Sequence, residues 1–290
     1  MMQKAAGFAI LVLSGLVACT AAPAGEDADT DVDEAAAATG PGSIAGKGKG
    51  GKDDGATCDE PKPEQCSGGG DEDCDGLVDC ADPDCSGVGS CPVCGEVDKP
   101  EATPLALPDG NDGEGVPYES KLKFKGFDPD KTIASEKDLV KICVTMEHSW
   151  LRDLEIKLIS PDGKEAILTD FRGRQGNGLS MGEPNRLDDK ARPVAGKGAE
   201  YCWSADAPNP AMLDSEAAKH KILPKSLAPG SYRPAKSLDS LVGSELNGEW
   251  TLRVTDRWSE DNGFIFGWSI SFDPSLVANC TAPLVESDVK

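Results

Sequence analysis

From about position 118 the chain alternates apolar and polar residues in short runs. Leu122 and Phe124 stand between lysines, Val140, Ile142, Val144 and Met146 share one parity over Leu139–Met146, and Leu154, Ile156 and Leu158 do so over Leu154–Ser160. A period of two is that of a half-buried strand, with one face turned to a core. Ser160-Pro161-Asp162-Gly163 is a turn signal, and Ala166–Thr169 reads as the strand returning from it. The pattern is densest over Trp250–Phe272. There Trp250, Leu252 and Val254 alternate with Thr251, Arg253 and Thr255, and Phe264, Phe266, Trp268, Ile270 and Phe272 share one parity. Asn262-Gly263 between the two arms is a reversal signal, so the pattern predicts a terminal hairpin with its aromatics on one side. An isolated hairpin is marginal in water and needs a facing layer. Only Met212–His220 reads as a short helical run, and Gly173–Gly198 is irregular. Short strands, frequent turns and little helix predict an all-β protein, an antiparallel β-sandwich.

The first third is different. Lys4 precedes an apolar run, Ala5–Val17, too short to span a bilayer but of signal-peptide length, and it ends in Leu16-Val17-Ala18-Cys19. Small residues followed by cysteine resemble a bacterial lipoprotein signal. That resemblance implies removal of residues 1–18, acylation of Cys19, and an exported protein held on a membrane, the outer membrane or cell surface where the host has one. Residues 19–57 carry no aromatic and no periodicity, and read as a disordered tether. A net charge of −22 excludes nucleic acid as a partner and suits divalent cations.

Residues 58–94 hold Cys58, Cys66, Cys74, Cys80, Cys85, Cys91 and Cys94, a disulfide-rich segment in an exported chain. Cys91-Pro-Val-Cys94 also has zinc-ligand spacing, but no second pair or histidine accompanies it. Within this segment Asp71, Asp73, Asp75, Asp79 and Asp82 occupy positions 1, 3, 5, 9 and 12 of a loop with Gly76 at position 6. Leu77 at position 7 would offer its carbonyl. This is calcium-loop spacing: short carboxylates converge on a hard cation only if the chain coils tightly. The interleaved cysteines resemble the calcium loops of thrombospondin type 3 repeats, which implies a structural Ca2+ rather than a sensor. Residues 95–117, rich in Pro and Gly, read as a linker to a sandwich spanning 118–274, and 275–290 as a tail.

The motif His148-Ser-Trp150-Leu-Arg-Asp153-Leu154-Glu-Ile156-Lys-Leu158-Ile-Ser160-Pro161-Asp-Gly163 is followed by Asp188-Asp189-x-Ala191 and Gly230-x-Tyr232-x-Pro234. Asn247-Gly248-x-Trp250-Thr-Leu252-x-Val254-x-Asp256, Asp261-x-Gly263 and Trp268-Ser-Ile-x-Phe272 close the series. In this order they resemble the P/Homo B domain of proprotein convertases and bacterial extracellular proteases, with Arg152 in place of the family glycine. The resemblance implies a jelly-roll-like sandwich that is not itself catalytic and that accompanies a protease domain. No Gly-Thr-Ser-Met-Ala and no His-Glu-x-x-His element is encoded. His148 reads as a hydrogen-bonding strand-end residue, and His220 has no nucleophile motif beside it. Some P domains are credited with calcium, and Asp153, Asp256 and Asp261, each at or beyond a strand end, form a second candidate metal site; bonds to turn amides are the competing use.

Cysteine parity adds a constraint. Without Cys19, ten cysteines remain: seven in 58–94, and Cys143, Cys202 and Cys280. Both groups are odd, so full oxidation within one chain requires a bridge between them. Strand phase puts Cys143 and Cys202 on the outer faces of their strands, where they can pair. Cys280 is left to cross to the segment, whose nearest cysteines are Cys91 and Cys94; Cys94–Cys280 would tie the two ends of the sandwich together. The expected function is a surface-anchored, non-catalytic binding or structural lipoprotein with an envelope protein or glycan partner. The alternative is an accessory that assists an extracellular, subtilisin-like or other protease in trans.

Overall fold

A computed structural model describes residues 62–173, 178–185, 192–219 and 225–286. The signal, Cys19, the tether, Cys58, Asp188, Asp189 and His220 lie outside the described residues. The chain divides into two units, Met1–Asp53 and Asp54–Lys290, and every described residue belongs to the second.

Among the described residues eleven strands carry the fold: β1 (Glu96–Ala106), β2 (Tyr118–Phe124), β3 (Leu139–His148), β4 (Leu154–Ile159), β5 (Glu165–Thr169), β6 (Leu179–Ser180), β7 (Ala199–Trp203), β8 (Lys225–Ser226), β9 (Gly230–Tyr232), β10 (Gly248–Asp256) and β11 (Gly263–Phe272). They form a five-stranded sheet in the order β1-β11-β3-β7-β9 and a four-stranded sheet in the order β2-β10-β4-β5, with β6 and β8 as a separate parallel pair. The described helix is slight, a single α turn (Glu216–Lys219) and short 3₁₀ turns. The fold is therefore an all-β sandwich. All of its ladders are antiparallel except β7–β9 and β6–β8.

Four features depart from the sequence pattern. First, Trp250–Phe272 is not a hairpin: β10 pairs with β2 and β4, and β11 with β1 and β3. The two arms lie in opposite sheets and turn their apolar faces toward each other, so each supplies the layer the other needs. A period of two specifies a buried face but not the hydrogen-bonding neighbour. Their aromatics meet at one end of the core, where Phe272 packs edge-on against Trp250, Phe124 and Phe127, with ring centroids 5.4, 5.3 and 4.8 Å away.

Second, bulges break the parity of β3 and β11. The ladder shifts register between Ser271 and Phe272 on β11, which sends Leu139 inward and leaves Val140 45% exposed. A second shift between Ile265 and Gly267 puts Ile265 rather than Phe264 or Phe266 in the core cluster. An extra residue in one strand reverses the alternation beyond it.

Third, part of the expected 95–117 linker is β1, an edge strand of the larger sheet. Pro100 and Pro104 disguise it, yet prolines are tolerated on an edge, where one side of the strand needs no donors. Fourth, residues after 274 are not a loose tail up to residue 286. Leu276 and Val277 are buried, Val277 bridges to Phe127, and Val285 bridges to Phe124.

All nine described cysteines are in disulfides. Cys66 is bonded to Cys85, Cys80 to Cys91, Cys94 to Cys280, and Cys143 to Cys202. Cys143 and Cys202 stand directly opposite one another on β3 and β7. With Cys91 and Cys94 in separate bridges, the zinc-ligand spacing carries no thiolates. No helix among the described residues is long and apolar enough to cross a membrane.

Candidate functional site

The acidic loop coils through its own carboxylates. Asp71 accepts the Cys74 N–H at 2.8 Å on Oδ1 and the Gly76 N–H at 3.2 Å on Oδ2. Asp73 accepts from Asp75 N at 3.2 Å, and Asp75 from Leu77 N at 2.8 Å. Gly76 has φ +95°, a conformation in which a Cβ is strained. Ligand oxygens from Asp73, Asp75 and Asp82 lie within 4.8 Å of one another, and so do oxygens from Glu64, Asp71 and Asp73. Two oxygens on one calcium, each at about 2.4 Å, can be at most about 4.8 Å apart, so both triads have the span a calcium ion requires.

Asp79, expected as the ninth-position ligand, falls in neither triad. Both of its carboxylate oxygens take the Gly69 N–H, at 3.2 and 3.1 Å. Glu64, upstream of the loop, enters instead, accepting the Glu72 and Asp79 amides at 3.1 Å each. No spacing rule reaches it, because a disulfide between Cys66 and Cys85 folds its segment back onto the loop. Leu77 is half-buried, and its N–H serves Asp75.

Asp82 is the most telling member. It is 1% exposed. Its Oδ1 accepts the Asp84 N–H at 2.7 Å, capping the Pro83–Cys85 turn. Its Oδ2 is buried and meets no donor among the described residues. Burial pushes its pKa up, the negative charges of Asp75, Asp73 and Glu64 add to the rise, and the Asp84 amide opposes it. An ionised oxygen buried beside other carboxylates is costly unless a cation answers it. The donor set is all oxygen and anionic, which fits a hard divalent ion such as Ca2+.

The second candidate set surrounds His148 at the end of β3. His148 is fully buried, with Nε2 3.2 Å from Asp256 Oδ2 and Nδ1 accepting the Trp150 N–H at 3.0 Å. That pattern is the neutral imidazole with its proton on Nε2. Burial lowers the imidazole pKa, while Asp256, with Asp153 and Asp261 beyond it, raises it by more. Asp256 Oδ1 accepts the Trp258 N–H at 3.0 Å, and Asp261 Oδ1 accepts the Ser149 hydroxyl at 3.2 Å. Asp153 is buried, and its carbonyl takes the Arg257 N–H. Of the three aspartates only Asp256 bonds His148, Asp153 and Asp261 act on its charge from farther off, and Asp256 and Asp261 hold turn or loop groups. Apart from the bridged Cys143–Cys202 with Glu200, the triads of ligand atoms within 4.8 Å among the described residues are the two in the acidic loop region.

Against the reading of the chain as lacking a Gly-x-Ser-x-Gly element, Gly178-Leu179-Ser180-Met181-Gly182 has that serine-hydrolase spacing, close to this histidine. Met181 and His148 exchange backbone hydrogen bonds at 2.9 and 3.1 Å. Ser180, however, lies in β6 beside β8 and is 3% exposed, not at a sharp strand-to-helix turn. Both ring nitrogens of His148 are already engaged by Asp256 and Trp150, which leaves none to activate a serine. The aromatics that could have anchored a partner are largely spent on packing: Trp203 is 0% and Tyr232 4% exposed, and Trp258 is half-buried.

Residues 138–183 match the family model of the proprotein convertase P-domain, a stretch that runs from the start of β3 past β6 and includes the His148–Gly163 motif. Among solved structures, the chain is similar to the serine protease of Aeromonas sobria, at 16% identity and a TM-score of 0.26, covering 62% of this chain and 27% of that one. It is also similar to a complex of that protease with a chaperone, at 16% identity and a TM-score of 0.27, covering 63% and 28%. The chain spans less than a third of the length of either. No curated protein matches it.

Proposed function

We propose, from a P-domain match seated on a β-sandwich, that this chain is a non-catalytic accessory of an extracellular protease system. In this reading it is held at the cell envelope by acyl groups on Cys19, and it docks a separately encoded protease or its substrate in trans. The observation that carries the proposal is the use made of the matched motif. His148, Trp150 and Asp153 are the residues of that stretch best suited to chemistry, and His148 and Asp153 are wholly buried. There they brace the ends of β3, β4, β10 and β11, which supports a role in shaping the domain rather than in chemistry. Structural Ca2+ belongs to the same reading, bound by the acidic loop in the Cys-rich segment through Asp71, Asp73, Asp75 and Asp82.

The test is crosslinking in intact envelopes, followed by capture of the chain and identification of its neighbours. Enrichment of a protease over envelope proteins of similar abundance is expected. Capture of glycans or structural envelope proteins with no protease contradicts the accessory role and returns the chain to a purely structural one.

A further inference from the structure

The acidic loop meets the sandwich at Asp82. On its N-terminal side, the Ala81 carbonyl accepts the Cys280 N–H at 3.0 Å, and Cys280 is bridged to Cys94 at the foot of β1. On its C-terminal side, the Pro83–Cys85 turn packs against the Pro274–Leu276 turn that follows β11. Asp82 is therefore buried where the Cys-rich segment docks, and its Oδ2 has no donor there among the described residues. Its carboxylate nonetheless shares a 4.8 Å cluster with Asp73 and Asp75. Docking without a cation removes this oxygen from water and gives it no donor among the described residues in return; docking with one would satisfy it. Two events that favour each other in this way are linked in both directions.

We infer that Glu64, in place of Asp79, joins Asp71 and Asp73 in a cation-holding triad that shares Asp73 with the adjoining Asp73–Asp75–Asp82 triad, and that filling these adjoining triads holds the Cys-rich segment docked on the sandwich. The inference rests on the calcium reading above. Glu64 and Asp71 close one side through Asp73, and Asp75 and Asp82 the other. Asp79 is a positioning residue that fixes the bend at Gly69. Removing the cation leaves Asp82 buried and unanswered, so the segment lifts from the 274–286 strap while the Cys94–Cys280 bridge keeps it attached.

The test uses the oxidised full-length chain and calcium chloride. Calorimetric titration reads affinity, and amide hydrogen exchange at Cys280, with and without chelator, reads docking. Glu64→Gln is expected to weaken calcium at least about tenfold. Asp79→Asn, which keeps an acceptor for the Gly69 amide, is expected to leave affinity within about threefold. In the wild type, chelation should speed exchange at Cys280 and leave the β3 and β10 amides unchanged. Asp82→Asn should make slow exchange at Cys280 independent of calcium, because the buried charge is gone. The inference is overturned if Asp79→Asn costs as much affinity as Glu64→Gln, or if wild-type exchange at Cys280 ignores calcium. Absence of any calcium binding by the wild type removes the calcium reading as well. Peptide mapping of Cys66–Cys85 and Cys80–Cys91 separates a misfolded Glu64 variant from a lost ligand, and the wild-type chelation arm stands without that variant.

Discussion

Replacing Cys94 and Cys280 together by alanine removes the bridge that joins the foot of β1 to the strap beyond β11. The two residues are 186 apart in sequence, so the bridge restrains nearly the whole sandwich in the unfolded chain. Cys143–Cys202 is nested within that loop and shortens the free path to roughly 130 residues; the chain-entropy relation gives about 5 kcal/mol with or without this correction, since it varies only as the logarithm of length. Set against the 5–15 kcal/mol typical of a folded domain, that is a large share. Equilibrium unfolding in urea, on oxidised protein with calcium present, measures it. With a denaturant dependence of about 2–3 kcal/mol per molar, the midpoint should fall by about 2 M. A drop below about 0.5 M with the slope unchanged would refute the reasoning, because the strap would then be held by its packing at Leu276 and Val277 and not by the covalent tie.

Three further outcomes follow from single sites. A Cβ on Gly263 would sit 2.2 Å from the His148 ring, so Gly263→Ala must displace a fully buried imidazole; a loss of roughly 1–3 kcal/mol in thermal unfolding is expected. Glu147 is buried, with Oε1 on the Gly196 amide and Oε2 without a donor among the described residues, and burial raises its pKa above the ordinary 4.5. A carboxyl raised in the folded state binds its proton more tightly there than in the unfolded chain, so stability falls as pH rises from about 4.5 through the raised value. Glu147→Gln should match wild type below that window, flatten the decline across it, and gain roughly 1 kcal/mol above it in pH-resolved melts. For the anchor, Cys19→Ser should move the protein from membrane to soluble fractions, as seen by fractionation; unchanged partition rules out acylation at that residue.

What the sequence made legible was which faces are buried, and what it hid was which strands are neighbours. Trp250, Leu252 and Val254 are core residues as their parity implies, yet β10 and β11 face each other across the sandwich and do not pair. Bulges are equally silent in the pattern, which is why Val140 was expected inside and Leu139 was not. β1 escaped because its edge position tolerates two prolines and a polar outer side that read as linker. In the acidic loop the spacing of Asp71, Asp73, Asp75 and Asp82 corresponds to two neighbouring carboxylate triads that share Asp73, one with Asp75 and Asp82 and the other with Glu64 and Asp71. The spacing carried no sign of Glu64, because its approach depends on disulfide closure rather than on local geometry. Ser180 shows the opposite case, a catalytic spacing that the fold leaves in a buried strand pair.

The most direct test of the account is fluorophosphonate labelling of material captured with the crosslinked full-length chain. The probe marks an activated serine on whichever polypeptide carries one. The account predicts label on a separate, co-captured protein and none on this chain, where Ser180 is buried and both nitrogens of His148 are engaged. Label on this chain, or the absence of any protease, labelled or not, from the captured proteins, would contradict it.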